Sequence, residues 1–70
     1  MKDLCDKLTV MKERGNTHYK RQAYKDAIKI FSEAINTFEA AGAPMTDTAI
    51  KTVVTQLMTN RSLSFHHLNQ

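Results

Sequence analysis

Apolar residues recur along this chain at the three- and four-residue spacing of amphipathic helices. The first stretch carries Leu4, Leu8 and Met11 at this spacing, followed one turn later by Gly15. Positions spaced in this way lie on one face of a helix, because a helical turn takes 3.6 residues. The pattern predicts a first helix over residues 2–21.

A second helix is predicted over residues 24–41, where the apolar stripe is almost unbroken. The residues of this stripe are Ala27, Ile28, Phe31, Ala34, Ile35 and Phe38. Only two or three residues around Gln22 separate the first two helices. So short a connection predicts an antiparallel helical hairpin.

A third helix is predicted over residues 47–68. Gly42, Ala43 and Pro44 are expected to end the second helix, and Thr46 or Asp47 to cap the third. Its apolar residues are Ile50, Val53, Val54, Leu57, Met58, Leu63, Phe65 and Leu68. The chain is therefore expected to form one all-α domain or fragment over residues 1–70, a helical hairpin followed by a third helix.

Composition narrows the classes of function. The 70 residues carry a formal charge of +3, but the basic residues form no continuous block, so nucleic-acid binding is not expected. No apolar run of membrane-spanning length occurs, and charged residues interrupt the start of the chain where a signal peptide would be apolar. A single cysteine, Cys5, is typical of a reduced, intracellular compartment.

Catalytic and metal-binding constellations are not apparent. The residues assemble no nucleophile–base pair, phosphate-binding glycine loop or paired carboxylates, so neither enzyme activity nor a cofactor is expected. His66 and His67 are adjacent, and their side chains would point about 100° apart on a helix. We therefore expect no metal site there, and we expect His18 to lie on the packing face of the first helix.

Residues 11–34 resemble the first repeat of a tetratricopeptide (TPR) domain. Gly15 matches the small residue of the first helix in that family, and Tyr24 matches the aromatic residue that opens the second helix. The small-large-small pattern of the second helix is matched by Ala27, Phe31 and Ala34. The resemblance implies that these five residues pack the helices together.

Residues 58–65 resemble the opening of a second TPR repeat. Here Ser62 matches the small packing position and Phe65 the aromatic one, after the Asn60-Arg61 pair. About one and a half repeats are thus present, and the fold implied is a fragment of a TPR-like α-solenoid.

The closest resemblance is to co-chaperone TPR domains that hold peptides by a carboxylate clamp. Lys12, Asn16 and Asn60 match three clamp positions. In that subfamily these positions bind the C-terminal Glu-Glu-Val-Asp of cytosolic heat-shock chaperones of the seventy- and ninety-kilodalton classes. The resemblance implies a cytoplasmic peptide-binding module whose partners are such tails or another protein.

The chemistry of the three residues agrees with this role. Lys12 and Asn16 are four residues apart and share one face of the first helix. An ammonium supplies positive charge, and asparagine amides donate hydrogen bonds to a carboxylate without adding counter-charge. Stacking of the three helices is expected to bring Asn60 beside them.

The matched clamp is incomplete, which leaves a second reading open. The family takes two further basic residues from a third repeat, and their loss weakens a micromolar binder to about millimolar. We expect the chain to be the amino-terminal part of a longer TPR protein. We also expect Leu57, Leu63, Phe65 or Leu68 to face solvent and favour self-association. The alternative function is a structural or oligomerising segment without clamp activity.

Overall fold

The computed structural model describes residues 2–42 and 46–69, and these residues form three helices. The helices are α1 over Lys2–Lys20, α2 over Tyr24–Ala41 and α3 over Thr48–Leu68. Helices make up 89% of the described residues, and those residues include no strand. The predicted all-α fold, a helical hairpin followed by a third helix, is confirmed.

The turn between α1 and α2 is as tight as the sequence predicts. The Ala23 amide donates to the His18 carbonyl at 2.9 Å, and the Gln22 amide donates to the Tyr19 carbonyl at 3.0 Å. This pair of bonds is the Schellman arrangement, which satisfies carbonyls that the helix end leaves without partners. Gln22 occupies the left-handed position of the motif at φ 63°, where glycine is more common. The chain therefore reverses within three residues, and α2 packs antiparallel to α1.

Gly42 ends α2, and Asp47 caps the start of α3. Gly42 follows α2 in the left-handed conformation at φ 63°, and its amide donates to the Glu39 carbonyl. Ala43 and Pro44, also expected to end this helix, lie outside the described residues. Asp47 is the N-cap of α3, because its carboxylate accepts from the Ala49 and Ile50 amides at 3.0 and 3.2 Å. Of the two predicted caps, the structure therefore uses Asp47.

The core lies where the three helices meet. All three pairs of helices are in contact. The buried apolar side chains are Leu8, Ala27, Phe31, Ala34, Ile35, Phe38, Ile50, Val53, Val54 and Leu57. The apolar stripe of α2 supplies half of this core because α2 packs against both α1 and α3.

Gly15 permits the closest approach between α1 and α2. A Cβ atom built on Gly15 would lie 2.7 and 2.8 Å from Cδ1 and Cζ of Phe31, and closer still to Cε1. Distances this short are incompatible with a methyl group, so the Phe31 ring occupies the space that any other residue would need. This contact offsets the helix-propensity penalty of about 1 kcal/mol for glycine in a helix interior.

Ser62 and Phe65, predicted to pack the helices together, are not buried among these three helices. Ser62 is exposed and Phe65 is 46% exposed, whereas Ser64 is fully buried. The reason is helical phase. Ser64 shares the face of the buried α3 residues, and Ser62 lies about 200° away from Ser64 around the axis. Leu57 is also fully buried, contrary to the expectation that it faces solvent, while Leu63, Phe65 and Leu68 are exposed as expected.

Among the described residues, no helix combines the length and the apolar character needed to cross a bilayer.

Candidate functional site

A row of polar side chains follows the line of contact between α1 and α3. Lys12 Nζ donates to Gln56 Oε1 at 2.8 Å, and Asn60 Nδ2 donates to Asn16 Oδ1 at 3.0 Å. Each pair joins residues 44 positions apart, so one turn along α1 corresponds to one turn along α3. The two helices therefore run parallel, and the three predicted binding residues lie on adjacent turns. We call the four residues the polar groove.

The burial of these side chains suits ligand binding. Lys12, Asn16 and Asn60 are half-buried, and Gln56 is exposed. Partial burial strengthens the attraction between the ammonium and an anion, while access from solvent remains. An ammonium has three N–H donors and each asparagine amide has two, so the two hydrogen bonds of the groove leave donors unused on Lys12 and Asn60.

The charge of the groove comes from one residue. Lys12 is its only ionisable member, and the acceptor of the Lys12 ammonium is a neutral amide. The positive charge is therefore not cancelled within the groove. An ammonium with neutral amides from both helices nearby forms an arrangement that can accept one carboxylate.

An aromatic cluster lies further along the same two helices. The His67 ring stacks on Tyr24 with centroids 5.1 Å apart, and its edge meets Tyr19 at 5.6 Å. Tyr19 and Tyr24 are themselves in edge-to-face contact at 5.5 Å. Stacking and edge-to-face geometries are the stable ones for such rings. The cluster joins the C-terminal end of α3 to the turn of the hairpin.

This cluster also gives Tyr24 its packing role. Tyr24 is half-buried, whereas the other residues of 11–34 predicted to pack, Gly15, Ala27, Phe31 and Ala34, are buried. The residues of 11–34 that were predicted to pack the helices together are therefore all buried or half-buried. Ser62 and Phe65, also predicted to pack, are exposed.

The histidine pair contributes rings to packing and no recognisable metal site. His66 and His67 contact each other edge-to-face at 5.8 Å. In the part of the chain that the structure describes, no group of three His, Cys, Asp or Glu residues is placed to hold a metal ion.

A separate depression lies between α1 and α2. Its volume is about 400 Å³, and it shares no residue with the polar groove. The residues that line it are Met11, Arg14, His18, Asp26, Lys29, Ile30 and Glu33. His18, expected on the packing face, is half-buried at the edge of this depression. Basic and acidic groups both surround it, so it favours neither sign of ligand charge.

Sequence reasoning missed Gln56 as a member of the groove. Gln56 and Asn60 are four residues apart on α3, the same spacing as Lys12 and Asn16 on α1. This matched spacing is the feature of the sequence that could have identified Gln56 as a member of the groove. Its meaning depends on the register of α1 against α3, which no local pattern specifies.

Comparison of the chain with protein-family models, with curated proteins and with solved structures found no match, so the resemblance to TPR repeats stays a prediction from the residues themselves.

Proposed function

We propose that this chain is a protein-interaction module that binds acidic peptides by their C-terminal carboxylate, in the polar groove between α1 and α3. The observation that carries the proposal is the convergence of Lys12, Asn16 and Asn60 on adjacent turns of two parallel helices. The role is binding, without catalysis or a cofactor.

The finer proposal follows from the TPR resemblance. The module is of the co-chaperone type, it acts in the cytoplasm, and its ligands are the acidic C-terminal tails of heat-shock chaperones. One lysine and two asparagines supply the binding groups within the groove. An affinity of about millimolar is expected, because each charge-assisted hydrogen bond contributes about 1.5–3 kcal/mol.

The test compares two variants of α1, each of which lacks one positive charge. Acetyl-Glu-Glu-Val-Asp is titrated into the wild type, Lys12→Ala and Lys7→Ala, with the C-terminally amidated peptide as a ligand control. Lys7 is exposed on the same helix, so its replacement removes an equal charge outside the groove. Loss of one ammonium–carboxylate bond corresponds to a weakening of about 10- to 150-fold.

The two lysine variants give opposite expected results. Lys7→Ala binds the peptide like the wild type, whereas Lys12→Ala and the amidated peptide give no measurable binding. Equal binding by the wild type and Lys12→Ala, or none by either, would refute the clamp.

A second candidate function, self-association, is favoured by the outer face of α3. Met58 and Phe65 are 44% and 46% exposed and lie seven residues apart, on one face of the helix. Only Lys51 and Arg61 carry charge within α3, so little repulsion opposes the docking of a second copy on this face. Under this alternative, the chain is a structural segment and the polar groove binds no peptide.

Sedimentation at high micromolar concentration tests the second candidate. It predicts a dimer for the wild type that a Met58→Ser, Phe65→Ser double variant abolishes. Val10→Ser is the control, because Val10 is 54% exposed on α1 and distant in sequence from α3. A monomeric wild type would exclude self-association through α3.

A further inference from the structure

Gln56 is exposed, but its side chain contacts Lys12 directly. Its side-chain oxygen lies 2.8 Å from Lys12 Nζ and is the acceptor that the ammonium uses. A lysine side chain has a flexible four-carbon stem, and fixing it costs up to about 2 kcal/mol of conformational entropy. A hydrogen bond already present in the free protein reduces the part of this cost that falls on ligand binding.

The neutrality of the acceptor is as important as its position. A carboxylate at 2.8 Å would form an ion pair with Lys12 and cancel the charge that attracts an anionic ligand. An amide oxygen orients the ammonium, leaves the charge in place, and occupies only one of its three N–H donors. Glutamine and glutamate have the same length, so position 56 decides whether the groove is cationic.

The neighbouring pair repeats this design one turn away. Asn60 donates to Asn16 at 3.0 Å, so here too the acceptor is a neutral amide oxygen. The groove therefore combines one positive charge with amide dipoles on both helices. Such a site suits a single carboxylate at the end of a peptide, because it has one positive charge to offer.

We propose that Gln56 is a positioning residue of this site, which holds the Lys12 ammonium towards the groove without neutralising it and thereby sets the groove's selectivity for a single carboxylate. The inference rests on the function proposed above. Gln56 is then the second residue of α3, after Asn60, that contributes to the site. It acts through Lys12 and not by direct contact with the ligand.

The test uses matched substitutions on α3. Gln56→Glu adds a charge beside Lys12, and Thr55→Glu adds the same charge at an exposed position about 100° around the helix. Gln56→Leu removes the acceptor at similar size. Acetyl-Glu-Glu-Val-Asp is titrated into each protein, and thermal unfolding is recorded to confirm that the fold is retained.

Gln56→Glu is expected to weaken peptide binding more than about tenfold, since an ammonium–carboxylate attraction is replaced within the protein. Gln56→Leu weakens it about threefold through the lost orientation of Lys12. Thr55→Glu changes it less than about twofold, because its charge is solvated and screened.

A second readout needs no peptide. In the free wild type, the Lys12 ¹⁵Nζ–¹H signal at low temperature is expected to be protected from exchange with water, and Gln56→Leu abolishes this protection. Equal binding by Gln56→Glu and Thr55→Glu, in a protein whose binding still requires Lys12, overturns this inference alone. A wild type that binds no peptide overturns the proposed function and this inference with it.

Discussion

At the scale of single residues, the contact between Gly15 and Phe31 fixes how closely α1 approaches α2. The Phe31 ring is fully buried and fills the space beside the Gly15 backbone. A ring enclosed in this way cannot move aside without displacing other core side chains, because protein interiors are close-packed. Since Lys12 and Asn16 lie within one turn of Gly15 on α1, this contact also sets the position of the α1 side of the polar groove.

Replacement of Gly15 by alanine is therefore expected to destabilise the fold. Helix propensity alone would stabilise the variant by about 1 kcal/mol. The overlap with Phe31 is expected to outweigh this gain, with a net loss of about 1–3 kcal/mol in the free energy of unfolding. Urea denaturation followed by circular dichroism measures the difference.

A matched comparison separates space from backbone strain. Gly42→Ala adds a methyl group where no atom lies within 4 Å, at a left-handed φ of 63°. Its cost of about 1 kcal/mol comes from the backbone alone. If Gly15→Ala proved more stable than the wild type, the close approach of α1 to Phe31 would be contradicted.

At the scale of elements, α3 differs from α2 in how clearly its sequence specifies its buried face. In α2 one stripe is apolar and all five buried residues belong to it. In α3 the apolar residues occupy more than one face, and only Ile50, Val53, Val54 and Leu57 of them are buried. The N-terminal half of α3 therefore supplies its apolar packing, and the Asp47 cap lies at that end.

Loss of the cap is expected to weaken the fold through α3. Asp47→Ala removes the acceptor for the Ala49 and Ile50 amides and should lower the free energy of unfolding by about 1 kcal/mol. Asp47→Asn keeps a side-chain oxygen and should cost only a few tenths of that. Thermal unfolding by circular dichroism ranks the variants, and an unchanged Asp47→Ala would exclude a capping role.

The bounds of the helices were easier to predict from the sequence than the face that each helix buries. The helix bounds came from periodicity and from glycine, proline and capping residues, and α2 begins and ends at the predicted residues. The burial of Ser64 in place of Ser62 was not predictable locally, because polar and apolar residues mix at that end of α3. Which face is buried there depends on where α1 and α2 lie.

At the scale of the whole molecule, α2 runs antiparallel to α1, and α3 runs parallel to α1 and lies beside it. The spacing of Lys12 and Asn16 predicted a shared face, and the resemblance added Asn60. The pairing of Lys12 with Gln56 became visible only in the structure, because it requires the register of one helix against another. The central claim is that the resulting groove binds a terminal carboxylate.

The most direct test of that claim maps the binding surface by nuclear magnetic resonance. Unlabelled acetyl-Glu-Glu-Val-Asp is added to ¹⁵N-labelled protein up to millimolar concentration, and both the backbone and the side-chain amide signals are followed. Asn36, exposed on α2, serves as an internal control. The account predicts saturable shifts of the Asn16, Gln56 and Asn60 signals, an unmoved Asn36, and no shifts with the amidated peptide. Shifts confined to residues around the depression between α1 and α2, or equal shifts with the amidated peptide, would contradict it.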